Sequence, residues 1–123
     1  MLDDSEKTQR LMAALEAAVP IEAMLSPQTR RSLSVDDPAI PSSGRCTIVS
    51  VLYLGDYAGI TCTLDFGNTN PTTAHLVSIT HLIFNANTPH YREIDAYQRH
   101  RTKKLRKQGN LEPGSETFTP TRQ

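Results

Sequence analysis

The chain has 123 residues, 37% apolar and 21% charged, with 13 Lys+Arg set against 13 Asp+Glu and two cysteines. That length holds one small domain and excludes a multidomain enzyme. The balanced charge, with a pI near 6.9, excludes a uniformly basic or acidic chain, and a mean hydropathy of −0.42 leaves part of the sequence outside any core.

Residues 5–19 predict an amphipathic helix, because Leu11, Met12, Leu15, Ala18 and Val19 recur on one face. Asp3, Asp4 and Glu6 stand where the positive end of the helix dipole favours carboxylates. Pro20 opposes continuation through its ring and missing N–H. This acidic start has neither the basic region nor the apolar run of a secretory signal. The longest apolar stretch, near residues 48–54, falls far short of the ~20 residues that span a bilayer. Cys46 and Cys62 are too few and too far apart for a disulfide framework or a paired metal or redox motif. The expectation is a cytoplasmic protein with reduced thiols and no membrane contact.

Ser26-Pro27 couples an N-cap side chain to proline at the first helical position. It predicts a short helix over 27–33, with Ile21, Met24, Leu25 and Leu33 on its buried side. Residues 36–44 are polar and proline-punctuated, which reads as a linker into a sheet. From Arg45 the period changes. Residues 46–54 are rich in β-branched side chains, and residues 60–66 alternate strictly, with Ile60, Cys62, Leu64 and Phe66 opposite Thr61, Thr63 and Asp65. The short connection Gly55-Asp56-Tyr57-Ala58-Gly59 makes these two an antiparallel hairpin. A second loop over 67–73 leads to a third alternating strand over 74–84, and sequential pairing gives a three-stranded meander.

Thr88-Pro89 repeats the cap-plus-proline signal and predicts a helix over 89–108, with Gly109 as its C-cap. At 100° per residue, Tyr91, Ile94, Tyr97, Arg101 and Leu105 form one stripe. Arg92, Arg99, His100, Lys103, Lys104, Arg106 and Lys107 fall on the opposite side. The tail over 110–123 has little to bury and is expected to be disordered. The expected fold is therefore α+β within residues 1–109: amino-terminal helices, a three-stranded antiparallel meander and a carboxy-terminal basic amphipathic helix.

The overall neutrality hides a segregated charge. Residues 1–91 hold five Lys/Arg and nine Asp/Glu, residues 92–107 hold seven and two, and residues 108–123 hold one and two. A basic helical face binds phosphates by displacing condensed counterions, whatever the sequence of the nucleic acid. The plainer reading is a solvated outer face whose cations the helix dipole favours near the carboxyl end. Tyr91 and Tyr97 lie on the apolar stripe, so no aromatic is interleaved with the cations for base stacking.

Other constellations carry less. His75 and His81 lie ~20 Å apart if they share one strand, and His90 and His100 are separated by ~15 Å of helix axis. No metal site and no cofactor is expected. Cys62 alternates in phase with Ile60, Leu64 and Phe66, so it reads as a small buried hydrophobe, with Asp65 pointing the other way. Ser42-Ser43-Gly44-Arg45 is a weak anion-binding loop. No phosphate-cradling glycine loop or dinucleotide fingerprint is present.

Two functional classes follow. The favoured one is a non-catalytic binding or assembly module whose Arg92, Arg99, Lys103, Lys104, Arg106 and Lys107 meet nucleic acid or an acidic protein. The alternative is a small enzyme or ligand-binding domain in which Arg45, Asp65, His75 and His81 converge at an oligomer interface. Residues 46–54 carry Val49, Val51 and Tyr53 opposite Ile48, Leu52 and Leu54. A strand apolar on both sides implies a homodimer.

Overall fold

The computed structural model describes residues 3–67 and 75–108. The loop expected over 67–73, the Gly109 cap and the tail over 110–123 fall wholly or mostly outside them. The elements run in the order α1 (Ser5–Ala18), β1 (Ile21–Leu25), α2 (Pro27–Asp36), β2 (Arg45–Tyr53) and α3, a single turn (Gly55–Ala58). Then come β3 (Ile60–Asp65), β4 (His75–Ser78), a 3-10 turn (Ile79–His81), β5 (Leu82–Ile83) and α4 (Tyr91–Gln108).

Helix starts follow the side chains. The Asp4 carboxylate accepts from the Lys7 N–H at 2.9 Å and caps α1. Ser26 caps α2 by accepting from the Thr29 N–H, with Pro27 in the first turn. The third signal behaves differently. Thr88-Pro89-His90-Tyr91 closes a turn through the Tyr91 N–H and the Thr88 carbonyl, with His90 at φ 63°. Proline second and a positive φ third are the marks of a type II turn, so α4 begins only at Tyr91.

The α+β class holds, but the sheet is a single antiparallel sheet of five strands in the order β4-β3-β2-β1-β5, not a three-stranded meander. Two departures account for the difference. First, residues 21–25 do not flank a helix as its buried side. They form β1, which pairs Ile21 with Ile48 on β2 and Met24 with Ile83 on β5. Secondly, the strand expected over 74–84 is broken by the 3-10 turn, and its two halves lie on opposite edges of the sheet. Ser78 and Leu82 are separated by at most ~14 Å of chain. The outer strands of a flat five-stranded sheet would stand ~19 Å apart. The sheet must therefore curl, bringing its two edges toward each other.

The curl creates one interior. Leu15 of α1, Leu25, Ile48, Ile60, Cys62 and Ile79 of the sheet and its turn, and Ile94 of α4 are all buried to 2% exposure or less. Burying a side chain of this size stabilises the fold by about 1.5–3 kcal/mol. The two apolar faces expected of residues 46–54 resolve into one inward face and a bulge. The register with β3 slips between Ile48 and Ser50, so Ile48 and Val51 both point inward while Val49 and Ser50 point out. Among the described residues, no helix is long and apolar enough to cross a membrane.

Candidate nucleic-acid interface

The candidate interface lies on α4, and α4 is held by its inward stripe. Ile94, Tyr97, Arg101 and Leu105 are buried, as the 100° spacing predicts. The Tyr97 hydroxyl accepts from the Ile60 N–H at 3.0 Å and donates to Asp3 Oδ2 at 2.8 Å. The Tyr53 hydroxyl donates to the same oxygen at 2.8 Å. Arg101, with 0% exposure, reaches both Asp3 oxygens from Nη1 at 3.3 Å and donates from Nη2 to the Asp56 carbonyl at 2.7 Å. One buried carboxylate thus ties the residue before the α1 cap to β2 and α4, and Arg101 extends the tie to α3. Burial, with the hydrogen bond to Asp3, pushes the Tyr53 phenol up to about 12 and the Tyr97 phenol higher. Both hydroxyls keep their protons and act as donors near neutral pH.

Gly59 makes this approach achievable. Its φ is +66°, and a Cβ there would collide with the Tyr97 hydroxyl and sit 2.9 Å from Arg101 Nε. The signal for this cluster is in the sequence: an arginine on an apolar stripe needs a buried counter-charge. Its partner, Asp3, is 98 residues away and reads locally only as a carboxylate near a helix start.

Gln98 fixes the other flank of α4. Its Nε2 donates to the Ile79 and Leu82 carbonyls at 2.8 and 2.9 Å. Between α4 and the 3-10 turn runs an open groove of about 450 Å³, lined by Thr80, Leu82, Gln98, Thr102, the carboxylate Asp95 and the three cations Arg99, Lys103 and Arg106. These cations span seven residues, ~10 Å of helix axis. Arg99 is bound to Asp95 at 2.9 Å. Among the described residues, no carboxylate lies within ion-pairing distance of Lys103, Lys104, Arg106, Lys107 or Arg92. All five are exposed. The sequence-selected cations therefore divide: Arg99, Lys103 and Arg106 share the groove, whereas Arg92, Lys104 and Lys107 do not line it.

Within a single chain, Arg45, Asp65, His75 and His81 are not brought together as one group. Arg45 and Asp65 line one depression of about 440 Å³, beside Glu22, Met24, Thr47 and Ile83 and the buried Ala23, Cys46, Phe66 and Phe84. The register brings them there, since Met24 pairs with Arg45 and Thr47 with Asp65. His75 lies elsewhere, with Nε2 2.9 Å from Asp37 Oδ2 and its ring edge-on to Phe66. His81 belongs to the 3-10 turn. The two histidines thus do not share a strand.

Cys62 is fully buried, and burial pushes its thiol up to about 12; the same cause lifts Cys46 to about 11. Neither supplies a thiolate near neutral pH. No group of three or more His, Cys, Asp or Glu side chains is placed to hold a metal ion among the described residues.

Searches against protein-family models, curated proteins and solved structures return no match for this chain. The functional reading rests on its own geometry.

Proposed function

We propose that the protein is a non-catalytic module that binds the phosphate backbone of a nucleic acid along the groove of α4. The observation that carries this reading is the grouping of Arg99, Lys103 and Arg106 on one groove wall. Thr80 and Thr102 line the same space. Their helix is locked in place by buried contacts, so little side of the scaffold has to be ordered on binding. A site of this kind reads charge and not sequence, because phosphate contacts position a protein without naming bases.

The test is fluorescence anisotropy of a labelled oligonucleotide titrated with the protein, repeated between about 50 and 200 mM salt. Affinity is expected to fall with salt, and the triple reversal R99E/K103E/R106E is expected to abolish binding. Loss of only Lys103 and Arg106 should flatten the log–log salt slope by about 1.4–1.8, at 0.7–0.9 per phosphate contact. No binding by the unsubstituted chain at the lowest salt, or equally tight binding of poly-glutamate, would sink the reading.

A further inference from the structure

We infer that the chain carries a second binding site, in the depression beside Arg45, whose ligand is a free amino acid with a large apolar side chain. The inference is independent of the nucleic-acid reading, because this depression shares no lining residue with the α4 groove. Its volume of about 440 Å³ falls within the range of small-molecule pockets, about 300–1,000 Å³.

The site follows from strand register. On β1 the exposed Glu22 and Met24 flank the buried Ala23, and on β2 the exposed Arg45 and the half-buried Thr47 flank the buried Cys46. Alternation places the four flanking side chains on one face of the sheet. Met24 pairs with Ile83 on one side and Arg45 on the other, so these three form a rank across β5, β1 and β2. Glu22, Thr47 and Asp65 form the next rank, across β1, β2 and β3, ~7 Å further along the strands. Arg45 and Glu22 are therefore diagonal neighbours on paired strands, at ~7–8 Å. Among the described residues, neither has an ion-pair partner.

Charge decides the class of ligand. A simple anion drawn to Arg45 meets Glu22 and Asp65 beside it, and a simple cation drawn to them meets Arg45. A wholly apolar molecule strips water from these charges and replaces none of it, which is costly. A zwitterion answers both signs: its carboxylate takes the Arg45 guanidinium, and its ammonium takes the Glu22 carboxylate. In a free amino acid these two groups stand on one Cα, ~2.5 Å from nitrogen to carboxyl carbon. Two charge-assisted hydrogen bonds of ~2.8 Å complete the span between diagonal neighbours. A peptide residue lacks one charge or both, so the pair selects the free compound. Its side chain then covers apolar surface that the fold leaves open. Met24 is 39% and Ile83 48% exposed, and Phe66 and Phe84 line the same depression. A thioether and two aromatic residues suit an aromatic side chain, so L-phenylalanine is the probe.

The experiment titrates the isotope-labelled full chain with L-phenylalanine and follows its amide resonances. Saturable shifts are expected over residues 22–24, 45–47 and 83–85. L-phenylalaninamide, which lacks the carboxylate, and N-acetyl-L-phenylalanine, which lacks the ammonium, should each bind at least about fivefold more weakly. R45M should weaken phenylalanine by at least about fivefold and leave phenylalaninamide unchanged; E22Q should weaken phenylalanine and leave the N-acetyl compound unchanged. Both side chains are exposed, so the unfolding midpoints of these variants should match the unsubstituted chain. R99E/K103E/R106E should bind phenylalanine undiminished, whatever it does to nucleic acid. No saturable shift at about 10 mM phenylalanine overturns the inference. Equal affinity for the three compounds, or undiminished binding by R45M, overturns it as well. Sedimentation that shows a dimer dissociated by R45M assigns this face to a second copy and also overturns it. Each of these outcomes leaves the phosphate-binding reading standing, and failure of nucleic-acid binding leaves this inference standing.

Discussion

Arg99 and Arg101 are two residues apart on α4 and end in opposite environments. The side chain of Arg99 is 80% exposed and meets Asp95 one turn away; that of Arg101 is 0% exposed and meets Asp3 from the other end of the described chain. Two residues rotate the helix by about 200°, so neighbours in sequence face solvent and core. The Arg99 pair lies in high dielectric, where such contacts contribute about 0–1 kcal/mol. The Arg101 pair is enclosed, held by two tyrosine hydroxyls and a backbone carbonyl as well, so each member depends on the others. The same residue type serves to hold the helix on one face and to meet a partner on the other.

That contrast breaks most visibly at Arg101. R101M keeps the stem but leaves the Asp3 carboxylate buried without its cation, and is expected to cost about 3–5 kcal/mol in urea unfolding. R99M should shift the same measurement by less than about 0.5 kcal/mol. Equal shifts would mean that the buried pair does not hold the fold. A smaller effect is expected at Gly59. G59A pushes a methyl group into the Tyr97 hydroxyl at a positive φ, and overpacking of this kind costs about 1–3 kcal/mol. Because the collision is with that hydroxyl, G59A should cost less in a Y97F background than in the unsubstituted chain. A double-mutant cycle measures the coupling, and strict additivity would place the strain elsewhere.

A third effect is one of pH. In the folded chain Cys46 holds its proton to about 11, and Cys62 and Tyr53 hold theirs to about 12. In the unfolded chain the thiols release theirs from about 9 and the phenol from about 10. Above pH 9 the unfolded state therefore binds fewer protons, and stability falls as pH rises. This contribution is complete below pH 9 and is lost toward 11–12. The urea midpoint should be level across the cysteine and tyrosine range below pH 9 and decline above it; a midpoint unchanged at about pH 10.5 would show that these groups are open to solvent.

Much of this architecture is legible in the sequence because its signals are local. Asp4 and Ser26 cap helices with their own side chains, β3 alternates over its whole length, and α4 keeps its apolar stripe at helical spacing. The two stretches whose faces the alternation misread share a cause. On β2 the inward positions change parity from Ile48 to Val51 at the bulge. Across the 3-10 turn they change parity from Val77 and Ile79 to Leu82 and Phe84. Each parity change marks a break in the strand, and reading through it turns one buried face into two. Residues 21–25 alternate faithfully, with Glu22 and Met24 outward, but a five-residue period is too short to separate a strand from the edge of the neighbouring helix.

The sequence by itself determined the starts of α1 and α2, the α+β class and the split of α4 into an apolar and a basic face. These depend on residues within a turn or two of each other. Only the tertiary structure decided that Asp3 answers Arg101, that residues 75–83 bridge the two edges of a curled sheet, and that the Asp56 carbonyl of α3 accepts from Arg101 of α4. Those pairings join residues 98, 8 and 45 positions apart. No local period encodes them; they follow from a curled sheet leaving one interior in which every buried charge must find its partner.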